Sequence, residues 1–258
     1  MAQKKKITAE VLSQVCLSEG IYDMWIETSL AEDAKAGQFI CIYTKDGSKL
    51  LPRPISICEV NGERTALRVV YRIAGAGTKE FSTYEKGTQI EILGTLGNGF
   101  PVTEGTGKSV ALFGGGICIP PMLQTAKEIR GDVHAFLGYR NKDLFLAEEF
   151  KAYSTLHIAT EDGSVGTKGN VMDALKESGL KPDVIMACGP MPMLRAIKKY
   201  AEENDITAYI SLEERMACGV GACLGCVAKT KHKDHHSNVN NARICTDGPV
   251  FEAKEVDI

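Results

Sequence analysis

Four cysteines toward the C-terminus carry the strongest chemical signal in this sequence. Cys218, Cys223 and Cys226 stand as C-x4-C-x2-C, and Cys245 follows after eighteen intervening residues. Three thiolates from one tight loop and a fourth from a distant segment is the plant-type [2Fe–2S] spacing. Such a centre exchanges one electron at a time, so the chemistry expected is electron transfer rather than hydrolysis or ligation. Gly219, Val220, Gly221 and Ala222 separate the first two cysteines, and Gly225 lies inside the second pair. Small residues let the backbone curl around a compact inorganic core and turn N–H groups toward its sulfurs. Structural zinc also takes four thiolates, but it more often uses two short C-x2-C knuckles. A disulfide framework is the third reading; nine cysteines, an odd count with no secretory signal, argue against it.

Other motifs suggest nucleotide-like ligands. Arg53-Pro54-Ile55-Ser56 opens a strand-like run. An arginine on a proline-stiffened backbone presents a fork of donors that matches pyrophosphate oxygens, and Ser56 adds a hydroxyl. A surface arginine at a strand start is the plain alternative. Gly75-Ala76-Gly77-Thr78 leads into a short helix predicted over 78–84, with Thr78 as its N-cap. Free N–H groups at such an end bind phosphate-like anions, although an ordinary capped helix reads the same way. Tyr71 and Arg72 just before it suit stacking on, and pairing with, a flavin or nucleotide. Gly114-Gly115-Gly116 follows a strand directly, and Pro120-Pro121 opens the next helix. Glycines there let a dinucleotide pyrophosphate approach the backbone. The pattern is not G-x-G-x-x-G, because Cys118 and Ile119 stand where further glycines would be. Cys188-Gly189-Pro190 ends a parallel strand, where α/β sheets bind ligands, or simply turns the chain into a helix.

The elements that must position these residues fall into three regions. Short runs rich in Val, Ile, Tyr and Thr at 11–17, 22–28, 38–43, 53–60, 65–72 and 89–93 read as strands of a small antiparallel barrel. Asn61-Gly62 between two of them is a hairpin signal. A glycine-rich stretch at 94–107 marks a boundary. Beyond it, strands at 110–113, 133–137, 156–159, 184–188 and 207–210 alternate with helices at 120–129, 171–178 and 192–204. Strand–helix alternation with continuously apolar strands predicts a doubly wound parallel sheet. The fold class expected is therefore α+β multidomain: a small antiparallel β-barrel (1–103), a doubly wound parallel α/β domain (104–210) and a small cysteine subdomain (211–258).

Length and composition agree with an ordinary multidomain protein. The chain has 258 residues and a formal net charge of -3, so neither nucleic acid nor an anionic membrane is an expected partner. Lys4-Lys5-Lys6 is not followed by an apolar stretch, and no segment has the apolar length of a membrane span, so a cytoplasmic location is expected. Cys16, Cys41, Cys58, Cys118 and Cys188 are scattered and read mostly as small buried apolar residues.

Taken together, R-P-x-S in the barrel, L-G-N-G-F at 96–100, G-G-G and C-G-P resemble the ferredoxin–NADP reductase superfamily. The run E-E-R-M-A-C-G-V-G-A-C at 213–223 and C-T-D-G-P-V-F at 245–251 narrow this. They are similar to the electron-transfer subunits of B-type, NAD-dependent dihydroorotate dehydrogenases. The resemblance implies FAD, a [2Fe–2S] cluster and NAD as cofactors. It implies an FMN-containing catalytic subunit as partner, in a heterotetramer of two plus two, within pyrimidine biosynthesis. Electrons would pass from that FMN through the cluster and FAD to NAD+. On matching positions, Arg53, Pro54, Ile55, Ser56, Val70, Tyr71, Arg72, Gly77 and Thr78 would contact FAD. Gly114, Gly115, Gly116, Cys188, Gly189 and Pro190 would contact NAD, and Cys218, Cys223, Cys226 and Cys245 would hold the irons. No catalytic acid–base pair is expected. Cys118 departs from the superfamily's G-G-G-x-G pattern, close to the expected nicotinamide nucleotide. His232, His235 and His236 lie in a wide insert before Cys245, read as solvated, with a histidine metal site as the alternative.

Rival readings remain at this stage. Another flavin/iron–sulfur module of the same superfamily, from a sulfide dehydrogenase, a hydrogenase or a ferredoxin:NADP oxidoreductase, has the same motifs. Arg140 and Lys142 follow the second α/β strand, where a 2′-phosphate can be accepted, and keep NADP open. A zinc-stabilised, non-enzymatic adaptor is the rival from a different class.

Overall fold

The computed structural model describes residues 4–231, 233 and 238–258. Six antiparallel strands close the barrel: β1 (Lys5–Ser18), β2 (Ile21–Glu27), β3 (Phe39–Ile42), β4 (Arg53–Val60), β5 (Ala66–Arg72) and β6 (Gln89–Leu96), in the order β1-β2-β5-β4-β3-β6. The period-two pleat decides what faces inward. On β6, Ile90 and Ile92 are buried while Gln89 and Glu91 face water. On β5, Leu67, Val69 and Tyr71 enter the barrel core, and Arg68, Val70 and Arg72 point the other way, toward the second domain. The Asn61-Gly62 hairpin forms, but its left-handed residue is Arg64; the Asn61 Oδ1 accepts from the N–H groups of Thr65 and Ala66 and closes the loop. Strand β1 starts earlier than the apolar pattern suggests, because Lys5 and Lys6 are recruited by pairing with Gly94 and Leu93.

The second domain is a seven-stranded sheet. In chain order its elements are β7 (Ser109–Gly115), α2 (Pro120–Glu128), β8 (Asp132–Tyr139), α3 (Ala147–Phe150), β9 (Thr155–Thr160), β10 (Thr167–Lys168), α4 (Val171–Ser178), β11 (Val184–Cys188), α5 (Met191–Glu203) and β12 (Thr207–Ser211); a single-turn-and-a-half helix, α1 (Ala76–Phe81), belongs to the barrel. The strand order is β10-β9-β8-β7-β11-β12, with a further C-terminal strand beyond β12. Alternate residues of the central strands supply both faces. Val110, Leu112 and Met186 pack with α2 and α3, whereas Ala111, Phe113 and Ile185 pack with α4 and α5. No helix among the described residues is long and apolar enough to cross a membrane.

The cysteine segment is not a detached appendage. Strands β13 (Val227–Lys229) and β14 (Asn241–Arg243) form a two-stranded ribbon, and β15 (Val250–Glu252) pairs antiparallel with β12 as the sheet's last strand. One apolar cluster joins Phe39, Leu93 and Leu96 of the barrel, Ile185 and Ile210 of the sheet, and Ile244 and Phe251 of the C-terminal segment.

The two large domains are also held by charge. Arg68 on β5 is 7% exposed and pairs with Asp23 at 2.7 Å, Glu59 at 2.9 Å and Glu149 at 2.6 Å; Glu149 belongs to α3 of the other domain. Lys127 of α2 pairs with Glu59 at 2.6 Å, and the Val60 N–H donates to Gln124 of the same helix at 2.9 Å. Burial works against the Arg68 charge, but Glu149 and Asp23 outweigh it and push its proton affinity further up. Replacing Arg68 with Met strands these carboxylates at the seam. The expected cost is about 3–5 kcal/mol of stability, read as a lowered urea midpoint at unchanged m-value. A midpoint equal to the parent's contradicts a structural role for this network.

Candidate functional site

A cleft of about 350 Å³ opens between barrel and sheet. Its walls are Arg53, Pro54, Ile55 and Ser56 of β4, Val70, Tyr71 and Arg72 of β5, and the segment after β12 from Ser211 to Glu214 with Met216. A second lobe of about 820 Å³ adds Gly75, Ala76 and Gly77 and shares Arg53 and Thr78 with the first. A third, of about 410 Å³, lies at the carboxyl ends of β7 and β8 and is lined by Gly115, Gly116, Cys118, Arg140, Glu161 and Pro190. Arg72, Ile117 and Glu213 line both the first and third lobes. The three lobes thus adjoin one another, from the barrel to the parallel-strand ends. Gly114, Cys188 and Gly189 sit behind the third lobe's wall, with Cys188 directly beside Gly114 in the sheet. Lys142 does not reach it.

Local chemistry explains the barrel side. A side chain at Gly77 would place its Cβ 2.1 Å from Arg53 Nε, so only glycine lets the guanidinium lie across the start of α1. Arg53 also donates to the Leu51 carbonyl. The N-cap of α1 is Gly75 rather than Thr78, which is the third helical residue. The Thr78 Oγ1 accepts from the N–H groups of Ala74 (2.8 Å) and Gly75 (3.2 Å), so it ties the loop to the helix from the third helical position, reaching back to the N-cap N–H. Tyr71 lines the cleft, yet the β5 pleat turns its ring into the barrel. There it stacks on Tyr22 with centroids 5.8 Å apart, and its hydroxyl donates to Gln14 Oε1 at 2.8 Å. Burial pushes that phenol above its ordinary range.

The cysteine cradle begins two residues beyond Met216. Left-handed backbone at Gly219, Gly221 and Leu224 (φ 67°, 83° and 54°) folds the loop back on itself. The N–H groups of Val220 and Cys223 both point at Cys218 Sγ, each at 3.4 Å. Burial opposes charge on Cys218, but these N–H donors, the Cys223 thiol and the Ala222 N–H bring it down to about 6. The ribbon β13–β14 carries the chain out from Cys226 and back, and the Ile244 N–H donates to the Cys226 carbonyl at 2.8 Å. Cys226 and Cys245, 2% and 1% exposed, then meet as a second hydrogen-bonded pair, in which burial and Cys226 raise the Cys245 thiol to about 12. Thiols held two and two, with amide donors aimed at sulfur, suit two irons that each take two thiolates. Arg243 pairs with Asp247 at 3.0 Å and donates to the Gly221 carbonyl at 3.4 Å, tying the loop to the returning segment. His232, His235 and His236 lie outside the described residues.

Three other features were not legible beforehand. Asn98 bridges domains: its amide donates to the Val250 carbonyl at 2.7 Å and accepts from the Val250 N–H at 3.0 Å. Cys41, scattered in sequence, is fully buried on β3 beside the cradle, where burial and then Cys245, Cys218 and Cys226 raise its thiol to about 12. Cys118 and Cys188 meet beside Glu213. Only the L-G-N-G-F pattern pointed toward the first of these; nothing in spacing pointed to the others.

The comparisons agree with this architecture. Residues 213–257 match the family model of the iron–sulfur cluster binding domain of dihydroorotate dehydrogenase B. The chain is similar to the dihydroorotate dehydrogenase B (NAD(+)) electron transfer subunit of Listeria monocytogenes serotype 4a, with 40% identity over 254 residues, 96% of this chain and 98% of the relative. The subunit of the same name from Streptococcus mutans serotype c is 39% identical over 261 residues, covering 99% of each chain. A solved structure of an NADH-dependent reduced ferredoxin–NADP oxidoreductase aligns with a TM-score of 0.86 at 28% identity, over 96% of this chain and 89% of that one. A ferredoxin NADP+ reductase from Neisseria gonorrhoeae, solved with FAD and NADP bound, shares the fold at 16% identity and a TM-score of 0.65, over 78% of this chain and 94% of that one. With such identity over nearly its whole length, in a fold that joins flavin-type barrel, parallel sheet and four-thiol cradle, the chain belongs to the family of dihydroorotate dehydrogenase B (NAD(+)) electron transfer subunits.

Proposed function

We propose that this chain is the electron-transfer component of a dihydroorotate:NAD+ oxidoreductase. It receives electrons from an FMN-containing catalytic subunit, in a heterotetramer of two plus two, and delivers them to NAD+ in cytoplasmic pyrimidine biosynthesis. The observation that carries this reading is the continuity of residues 211–226. The same segment walls the cleft at Ser211 to Glu214 and Met216, then supplies Cys218, Cys223 and Cys226. A centre held by the cradle therefore lies one short backbone segment from whatever fills the cleft.

Division of labour follows from the residues. The barrel (1–103) holds FAD: Arg53 and Gly77 receive its pyrophosphate, Ser56 and the β5 edge at Val70, Tyr71 and Arg72 line its ring system, and Thr78 keeps the Gly75 loop in shape. The α/β domain (104–210) holds NAD at the third lobe, against Gly115, Gly116 and Pro190, with Gly114, Cys188 and Gly189 setting the wall behind. Glu161 shares that lobe with Arg140, and a carboxylate there opposes a 2′-phosphate, which favours NAD over NADP. The last segment (211–258) holds the [2Fe–2S] cluster through Cys218, Cys223, Cys226 and Cys245. When bound, FAD exchanges electrons singly with the cluster and in pairs, as hydride, with NAD. The protein supplies position and exclusion of water: Ile117, Arg72 and Glu213 stand where the first and third lobes meet and would there set how a nicotinamide approaches a flavin. Cys223 is exposed and rimmed by Val220 (41%), Leu224 (61%) and Val227 (37%), an apolar surface suited to the catalytic subunit.

Cys223→Ser should abolish or cripple the cluster and with it dihydroorotate-driven NAD+ reduction, while NADH oxidation by ferricyanide survives. A normal dihydroorotate-dependent rate in that variant contradicts the path. Arg53→Ala should loosen FAD; the flavin-to-protein absorbance ratio after gel filtration should fall, and an unchanged ratio removes Arg53 from the flavin site. NADH should be oxidised in strong preference to NADPH in a side-by-side assay, and equal rates would remove the role given to Glu161.

A further inference from the structure

The geometry points to a second, unrelated metal site: Cys118, Cys188 and Glu213 form an S2O cradle for a thiophilic divalent cation, zinc or cadmium, at the junction of the first and third lobes. The three side chains come from the carboxyl ends of three neighbouring parallel strands. Gly114, Cys188 and Ser211 are in register across β7, β11 and β12, so the turn after β7, the last residue of β11 and the segment after β12 emerge side by side. One ligating atom from each of the three residues lies within 4.8 Å of the others. The Cys118 thiol already donates to Glu213 Oε1 at 3.3 Å. Cys118 and Cys188 are 6% and 1% exposed, whereas Glu213 is at the solvent-facing margin and lines both lobes.

The donor set selects the metal. Two sulfurs and one carboxylate oxygen suit zinc or cadmium and not magnesium or calcium, which require oxygen shells. Three protein ligands leave a fourth tetrahedral position, and the cleft supplies it with water. Electrostatics favours the same occupant. The Cys188 contact, burial and the Glu213 carboxylate together push the Cys118 thiol well above its ordinary range. A thiol ligates a metal as thiolate, and a divalent cation here reverses the sign of the field that keeps Cys118 protonated. Binding therefore releases thiol protons to solvent and strengthens as pH rises. Ile117 and Glu213 line both lobes, so a cation here draws Glu213 toward Cys118 and narrows the path by which a nicotinamide reaches the flavin. That consequence, a reversible block on NADH oxidation, rests on the function proposed above; metal binding itself does not.

The test uses the protein loaded with FAD and cluster. Cadmium is added as probe, bound cadmium and retained iron are counted after equilibrium dialysis, and the ultraviolet cadmium–thiolate band is followed. One cadmium per chain with iron unchanged, and weaker binding when NAD+ is present, is the expected result. Cys118→Ala should remove the band and lower affinity by more than the roughly 100-fold that loss of an outer-shell partner costs. Glu213→Gln, at an exposed position that the fold does not depend on, should weaken cadmium binding while retaining the thiolate band. Cadmium bound equally by Cys118→Ala and parent, or bound only as iron is lost, overturns the site. Zinc should inhibit NADH oxidation by ferricyanide in the parent and not in Cys118→Ala. Full cadmium binding without that inhibition leaves the metal site standing and removes the nicotinamide from this junction.

Discussion

The pairing of the C-terminal segment with both large domains is the constraint on which the rest depends. Val250 is bound from two sides. Its backbone pairs with Ser211 as β15 extends the sheet, and both its N–H and its carbonyl are held by the Asn98 side chain at the barrel's exit. Asn98 N–H donates to the Gly248 carbonyl at 2.6 Å, and the Leu212 N–H to the Pro249 carbonyl at 2.9 Å. These are buried or half-buried backbone groups that would otherwise lack partners, so the segment cannot lift away without leaving several of them unsatisfied. Cys245 is therefore anchored to the two domains that form the cleft, and the cradle inherits their rigidity.

The seam beneath it is held by charge. Arg68 and its carboxylates lie on the same outward face of β5 as Val70 and Arg72. One strand thus divides its outward residues between locking the domains and lining the cleft between them. A buried ion network is a poor source of net stability against an apolar equivalent, but it tolerates few alternative geometries. That property suits a cleft whose walls come from different domains.

Much of this was readable from residue types. Barrel strands, sheet strands and helices follow periodicity because each period buries one set of side chains, and the C-x4-C-x2-C loop announces itself because so few metal centres use that spacing. What local patterns misjudged were positions whose partner is distant. Thr78 looks like an N-cap, but the N-cap is Gly75, three residues earlier, and the Thr78 hydroxyl instead accepts from the N–H groups of Ala74 and Gly75. Tyr71 looks like a stacking residue, but the register of β5 gives its ring to the barrel. The first strand reads as 11–17, but pairing with β6 extends it back to Lys5.

The cysteines divide the two kinds of information most sharply. Residue types and spacing alone group Cys218, Cys223 and Cys226, since a loop of small residues can present its own thiols without help from elsewhere, and the plant-type pattern adds Cys245. Only the tertiary structure decided that Cys41 abuts that cradle, that Cys118 and Cys188 meet at Glu213, and that Asn98 holds the returning strand. Each of those contacts joins residues from segments far apart in the chain. Which strand ends lie level is set by sheet order and register, and these are properties of the packed whole rather than of any local stretch.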